Sequence, residues 1–315
     1  MILRRLQKVA VILISGIASA SGIFKSFFGP WRQHFDALQG AGIHVIPVHY
    51  YSPIPDTRAL DRSTWKRRSG MVEVEIGRHG GVEFLRGPIT EFAKELGDVP
   101  AAKTRPGEYY FDNPAYMSGD ATVLYSMIRQ YSPKRIIEIG SGFSSLVVDM
   151  ALEANGPGCD YVSIDPYPPE YLRHMRNQPR MISKPVQDVP LCDFEALEKD
   201  DILFIDSTHV ARIGSDVVYE YLEILPRIRP GVIVHIHDIF LPMEYPEEWI
   251  VKHRFFWNEQ YLLQAFLAFN DCFEIVWPGQ LMHLDHGAEM EGIVPHYQAG
   301  LPPQLAPTSW WMRRI

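Results

Sequence analysis

Runs of apolar residues broken by short polar turns fill the chain from about residue 118 onward, and their period switches repeatedly between strand-like and helix-like. The clearest run is KRIIEIGSGFSSLVVDMALE, Lys134 to Glu153. Ile136, Ile137 and Ile139 predict a parallel strand covered on both faces, Gly140 and Gly142 a sharp turn, and Ser144 or Ser145 the cap of the helix that follows. Upstream, Ser118, Gly119 and Asp120 signal a helix start, and Val123, Leu124, Met127 and Ile128 give that helix one buried face. Downstream, YVSID, MISKPV, DILFID and GVIVHIHDIF predict four more strands, with a helix over 215–225 and the turn Arg229-Pro230-Gly231 before the last of them. A helix over 257–270 is predicted with Leu262, Leu263, Phe266 and Phe269 inward, and FEIVWP and SWWMRR supply two final strands. Strands alternating with helices specify an α/β fold around a mostly parallel sheet.

The first hundred residues follow no such rhythm. Arg4, Arg5 and Lys8 precede an apolar run that ends near Ala18-Ser19-Ala20 and resembles a secretory signal. From Val9 to Phe24 it has 16 residues, short of the ~20 needed to span a bilayer. A helix docked on the body, or peripheral membrane contact through residues 1–24, is the expectation instead. The prolines of HVIPVHYYSPIPD, His44 to Asp56, forbid a regular helix, and His49, Tyr50 and Tyr51 read either as an entrance lining or as packing for this arm. Residues 1–106 are therefore expected to be an N-terminal extension or cap, and 107–315 the main domain.

Composition narrows the function by exclusion. A chain of 315 residues with 46% apolar and 22% charged residues has an ordinary globular balance. Its net charge of −8, with no basic stripe, excludes nonspecific nucleic-acid binding as an expectation. Cys159, Cys192 and Cys272 are isolated and odd in number, so neither a disulfide framework nor a CxxC metal knuckle is indicated.

The ends of the predicted strands carry the chemistry. A glycine turn opening a helix presents free N–H groups to a nucleotide-like ligand, but the third glycine of a dinucleotide fingerprint is replaced by Ser145. Asp165 ends the second strand 23 residues beyond Gly142, the spacing of an acid that grips ribose hydroxyls. Asp206 ends the fourth strand, with His209 three residues later, and an imidazole can accept a hydroxyl proton near neutrality. His235 and His237 share one face of the fifth strand, which ends at Asp238. Asp206 and Asp238 would suit a hard divalent cation, and the alternative is a hydrogen-bonded His237–Asp238 pair that shapes the pocket.

Glu138-x-Gly140-x-Gly142 resembles the first motif of class I S-adenosylmethionine-dependent methyltransferases, and Asp206-Ser207-Thr208-His209 resembles the D-G-[ST]-H pattern of their small-molecule and sugar O-methyltransferases. The resemblance implies a Rossmann-like seven-stranded sheet whose last strand is antiparallel, with S-adenosyl-L-methionine as cofactor. It implies Glu138 near the methionine ammonium, Gly140, Ser141, Gly142 and Ser144 beneath the cofactor, Asp165 on the ribose, and Gln187 and Asp188 near adenine. It makes Asp206, His209 and His237 the catalytic group, with His209 as base and Mg2+ on Asp206 and Asp238. The metal-dependent members end this strand in two adjacent ligands, whereas Ile239 follows Asp238 here. The implied activity is methyl transfer to a hydroxyl of a small molecule or carbohydrate, in the cytoplasm where the cofactor is made. A non-catalytic S-adenosylmethionine-binding or assembly protein and an NAD(P)-dependent oxidoreductase are the alternatives.

Overall fold

Five parallel strands, β1 (Arg135–Ile139), β2 (Asp160–Ile164), β3 (Arg180–Ile182), β4 (Ile202–Ile205) and β5 (Ile233–Ile236), form the greater part of one sheet in the computed structural model. β6 (Phe273–Pro278) and β7 (Trp310–Arg314) complete it in the order β3-β2-β1-β4-β5-β7-β6, with β7 antiparallel to both neighbours. This is the predicted seven-stranded sheet with a reversed last strand. The structure describes residues 29, 32, 34–76 and 80–315. The apolar stretch at residues 1–24 therefore lies outside the described residues. Among those described, no helix is long and apolar enough to cross a membrane.

The alternation of β1 explains why the sheet is covered twice. Ile136 joins a cluster with Leu146, Val147 and Val123, whereas Ile137 and Ile139 join Val217, Ile224 and Leu263 on the opposite face. The first layer holds α1 (Ser118–Tyr131) and α2 (Phe143–Asn155), and the second holds α3 (Asp216–Tyr219) and α4 (Glu259–Leu267). Each isoleucine buried this way contributes about 1.5–3 kcal/mol relative to exposure. Trp310 and Trp311 repeat the alternation on β7, one in each layer and both fully buried.

Three predicted elements differ in extent. β3 stops at Ile182 because Lys184 N–H turns back to the Ile182 carbonyl and Pro185 has no N–H for the ladder. The 215–225 helix is capped by Ser215, which accepts the Val218 N–H, and widens to a π-type turn at Glu220–Ile224. The 257–270 helix is shorter, Glu259–Leu267, and Phe269 is corrected from inward to 83% exposed because the chain leaves the helix there with positive φ.

The chain forms two compact units, the first ending at Thr64 and the second spanning Trp65–Ile315. The second thus starts before residue 107, since Leu85 and Ile89 of the helical turns over 80–96 are fully buried in its core. In the first unit His44 to Asp56 is irregular, as its prolines require. There the rings of His49, Tyr50 and Tyr51 pack against one another in tilted pairs, with centroids 4.1 and 4.4 Å apart.

Candidate functional site

The carboxyl ends of β1, β2 and β4 frame a crevice of about 470 Å³ whose wall includes Gly140, Ser141, Asp165, Gln187 and Asp206. Gly140 is required by its surroundings: its φ is +82°, and a Cβ would lie 1.9 Å from the Asp206 carbonyl oxygen. Gly142 is extended at φ 177° and has no such demand. Its N–H donates to Ser145 Oγ at 3.1 Å, which closes the first turn of α2. Ser141 donates to Asp165 Oδ2 through both Oγ, at 2.6 Å, and N–H, at 3.1 Å, while the Tyr167 N–H donates to Oδ1. Oδ1, which accepts that one bond, keeps a second lone pair for a hydroxyl donor.

Not every residue predicted for this crevice lies on its wall. Glu138 is fully buried beneath the turn, accepting from Ser144 Oγ and Ser145 Oγ at 2.8 Å each and from the Tyr161 hydroxyl at 2.5 Å. Gly142, Ser144 and Asp188 are also absent from the wall, and Gln187 spends its amide N–H on the Gly214 carbonyl. Tyr167, Thr208, Arg212 and Asp216 line it unpredicted. Burial raises the Glu138 carboxyl to about 7, against three hydroxyls that oppose the rise. Folded protein therefore holds a proton that unfolded chain releases, so stability should fall as pH climbs from the ordinary glutamate range through 7. Urea titrations at pH 5 and 8 are expected to show about 3 kcal/mol more loss for the wild type than for Glu138→Gln. Equal losses would refute the buried-proton assignment.

Beside the crevice, the ends of β4 and β5 assemble a cluster of ionisable groups. His209 Nε2 lies 3.3 Å from Asp206 Oδ1 and 3.4 Å from Asp238 Oδ2, and its Nδ1 lies 2.9 Å from Glu259 Oε2. His237 sits 3.6 Å from both Asp206 and Asp120 and 3.7 Å from Asp238, under the ring of Tyr116. Burial alone would lower both imidazoles, but the surrounding carboxylates raise them well above the ordinary histidine value. Burial likewise opposes ionisation of Asp206, yet the two histidines hold its carboxyl well below the usual range. Asp238 is raised by burial. His209 and Asp238 both adopt left-handed backbone, at φ +59° and +55°, a strained choice for side-chain-bearing residues.

The segment before and into α4 fixes His209 in place. Trp257 packs its ring 4.4 Å from the imidazole, and the N–H groups of Asn258 and Glu259 donate to the His209 carbonyl. Asn258 Oδ1 accepts from the Ala211 N–H. Glu259 and Asp120 are the residues that the sequence reading missed as site members. In the sequence Asp120 signals a helix start, but its carboxylate accepts from the N–H groups of Thr308 and Ser309 and so ties α1 to the start of β7.

The carboxylates of Asp206 and Asp238 fit a divalent cation: each has an oxygen within 4.8 Å of the other and of a His209 ring nitrogen. Glu259 behind His209 holds the Nδ1 side of the ring and so orients the imidazole. The crevice fits a nucleoside through its glycine floor and the Asp165 carboxylate at the strand end.

Residues 137–239 match a family model described as a methyltransferase domain. An uncharacterized protein of Archaeoglobus fulgidus is 33% identical over 168 residues, which cover 50% of this chain and 75% of that protein. The crystal structure of the SAH-bound Podospora anserina methyltransferase PaMTH1 aligns at 13% identity with a TM-score of 0.38, over 73% of this chain and 88% of that one.

Proposed function

We propose that this chain, which belongs to the class I S-adenosylmethionine-dependent methyltransferase family, methylates a hydroxyl group of a small molecule or carbohydrate, with His209 as general base. The observation that carries this reading is the double membership of Asp206, which lines the nucleoside-sized crevice and also contacts His209 in the ionisable cluster. That arrangement supports a donor site and a proton acceptor meeting at one strand end.

The donor supplies a methyl group already activated on sulfonium, so the protein's part is placement and proton handling. The acceptor oxygen forms the new C–O bond as the C–S bond breaks; the bonding pair goes to sulfur and the hydroxyl proton to His209 Nε2. Glu259 binds Nδ1 and so fixes the tautomer that leaves Nε2 to receive the proton. Asp165 is assigned to the ribose hydroxyls, and Gly140 with Ser141 to the floor beneath the nucleoside. Glu138 shapes the turn from below through Ser144 and Ser145, instead of touching the ligand.

Asp206 and Asp238 would hold a divalent cation such as Mg2+, which would supply Lewis acidity that lowers the acceptor hydroxyl's pKa. Both carboxylates raise the proton affinity of the His209 imidazole, which favours retention of the proton it receives. A screen of hydroxylated acceptors with radiolabelled donor tests the reading. Transfer to at least one hydroxyl compound is expected, and EDTA should cut it at least about tenfold, with recovery on adding Mg2+. Donor binding without transfer to any acceptor would favour a non-catalytic role, and transfer indifferent to EDTA would remove the cation.

A further inference from the structure

A second cavity, of about 440 Å³, opens on the other half of the sheet and takes its walls from Trp65, Phe240, Met243, Val251 and Leu284. It lies at the same sheet edge as the cluster, because β6 runs in the direction of β5 and Gln280 of the cavity wall follows directly on its end. We propose that this cavity is the acceptor subsite and that the acceptor is a hydroxyl compound with an apolar body and no negative charge; the proposal rests on the methyl-transfer reading above.

Four observations converge on it. The size lies within the range of small-molecule sites, and the wall is largely apolar. Two polar atoms in that wall are buried without partners among the described residues, the Trp65 indole N–H and Gln280 Oε1, and Gln280 is only 3% exposed. A buried polar group left unpaired is destabilising, and a ligand hydroxyl, which donates and accepts, answers either one. The charges around the cavity are Glu244, Glu247 and Glu248 against Lys252, and Lys252 is paired with Glu248. A carboxylate or phosphate entering there meets an uncompensated negative rim.

The wall is also tied to the base. Phe240 follows Asp238 by two positions, and its N–H donates to Gln260 Oε1 at 3.1 Å. Gln260 Nε2 donates in turn to the Met243 carbonyl and to Glu244. Gln260 is the next residue after Glu259, which holds His209, so the cavity loop and the proton acceptor hang from the same turn of α4.

The test is isothermal titration of the full chain, first with S-adenosylhomocysteine and then, in its presence, with three phenols of similar shape: 4-ethylphenol, tyramine and 4-hydroxyphenylacetate. The neutral and cationic phenols are expected to bind, with the anion weaker by about tenfold or more. Glu247→Lys, on an exposed position, is expected to bring the anion within about threefold of 4-ethylphenol, and Leu284→Asp to weaken 4-ethylphenol while leaving S-adenosylhomocysteine unaffected. Equal binding of all three phenols overturns the proposal, as does retention of S-adenosylhomocysteine binding with no phenol bound. Failure of S-adenosylhomocysteine itself to bind overturns the methyl-transfer reading and takes the proposal with it.

Discussion

Replacing His209 by alanine is expected to lower turnover by about a hundred- to ten-thousandfold while donor affinity stays within a few-fold. The ring is the one group in the cluster that touches Asp206, Asp238 and Glu259 at once. None of the crevice-lining contacts at Gly140, Ser141 or Asp165 depends on it. Its removal leaves Glu259, fully buried, without its imidazole. A loss of stability should therefore accompany the loss of turnover. The double variant His209→Ala/Glu259→Gln separates the two effects: it should recover stability, because a neutral amide needs no counter-charge, but not turnover. Methyl transfer near the wild-type rate in either variant would remove His209 from the mechanism.

Gly140→Ala should be the most damaging single-methyl substitution in the donor crevice. The new Cβ would lie 1.9 Å from the Asp206 carbonyl oxygen, which is backbone and cannot swing aside. The carbonyl is held because β4 is paired on both sides and the Asp206 N–H donates to the Ile139 carbonyl. Left-handed φ adds about 1 kcal/mol for a residue with a side chain, and overpacking about 1–3 kcal/mol more. A drop of about 3 kcal/mol in urea unfolding, with loss of measurable S-adenosylhomocysteine binding, is the expected result. Gly142→Ala serves as the control, since its backbone is extended and its nearest neighbour, the Tyr171 hydroxyl, is 3.7 Å away. Equal effects at the two glycines would mean that the clash is absorbed by motion of the strand end.

The comparison of Glu138 with Asp165 shows how far a motif can be read. The same glycine turn points both toward the cofactor. Asp165 follows β2 and reaches the crevice, whereas Glu138 lies within β1, where side-chain alternation turns it toward Ser144, Ser145 and Tyr161. A spacing rule places a residue along a strand, but the pleat decides which face receives it.

The succession of strands, the glycine at 140 and the acids at 165, 206 and 238 were all readable from residue order, because strand burial, left-handed φ and strand-end position are local properties of the chain. The company that His209 keeps was not. Glu259 meets it from fifty positions away, and Asp120, at the start of the helix that precedes β1, reaches His237. Nothing in the local pattern marks an acidic residue at a helix N-terminus as the partner of a distant imidazole, since the same residue in the same place ordinarily faces water. Packing two helices against the ends of β4, β5 and β7 brings those carboxylates together, and that packing sets the protonation of the proposed base.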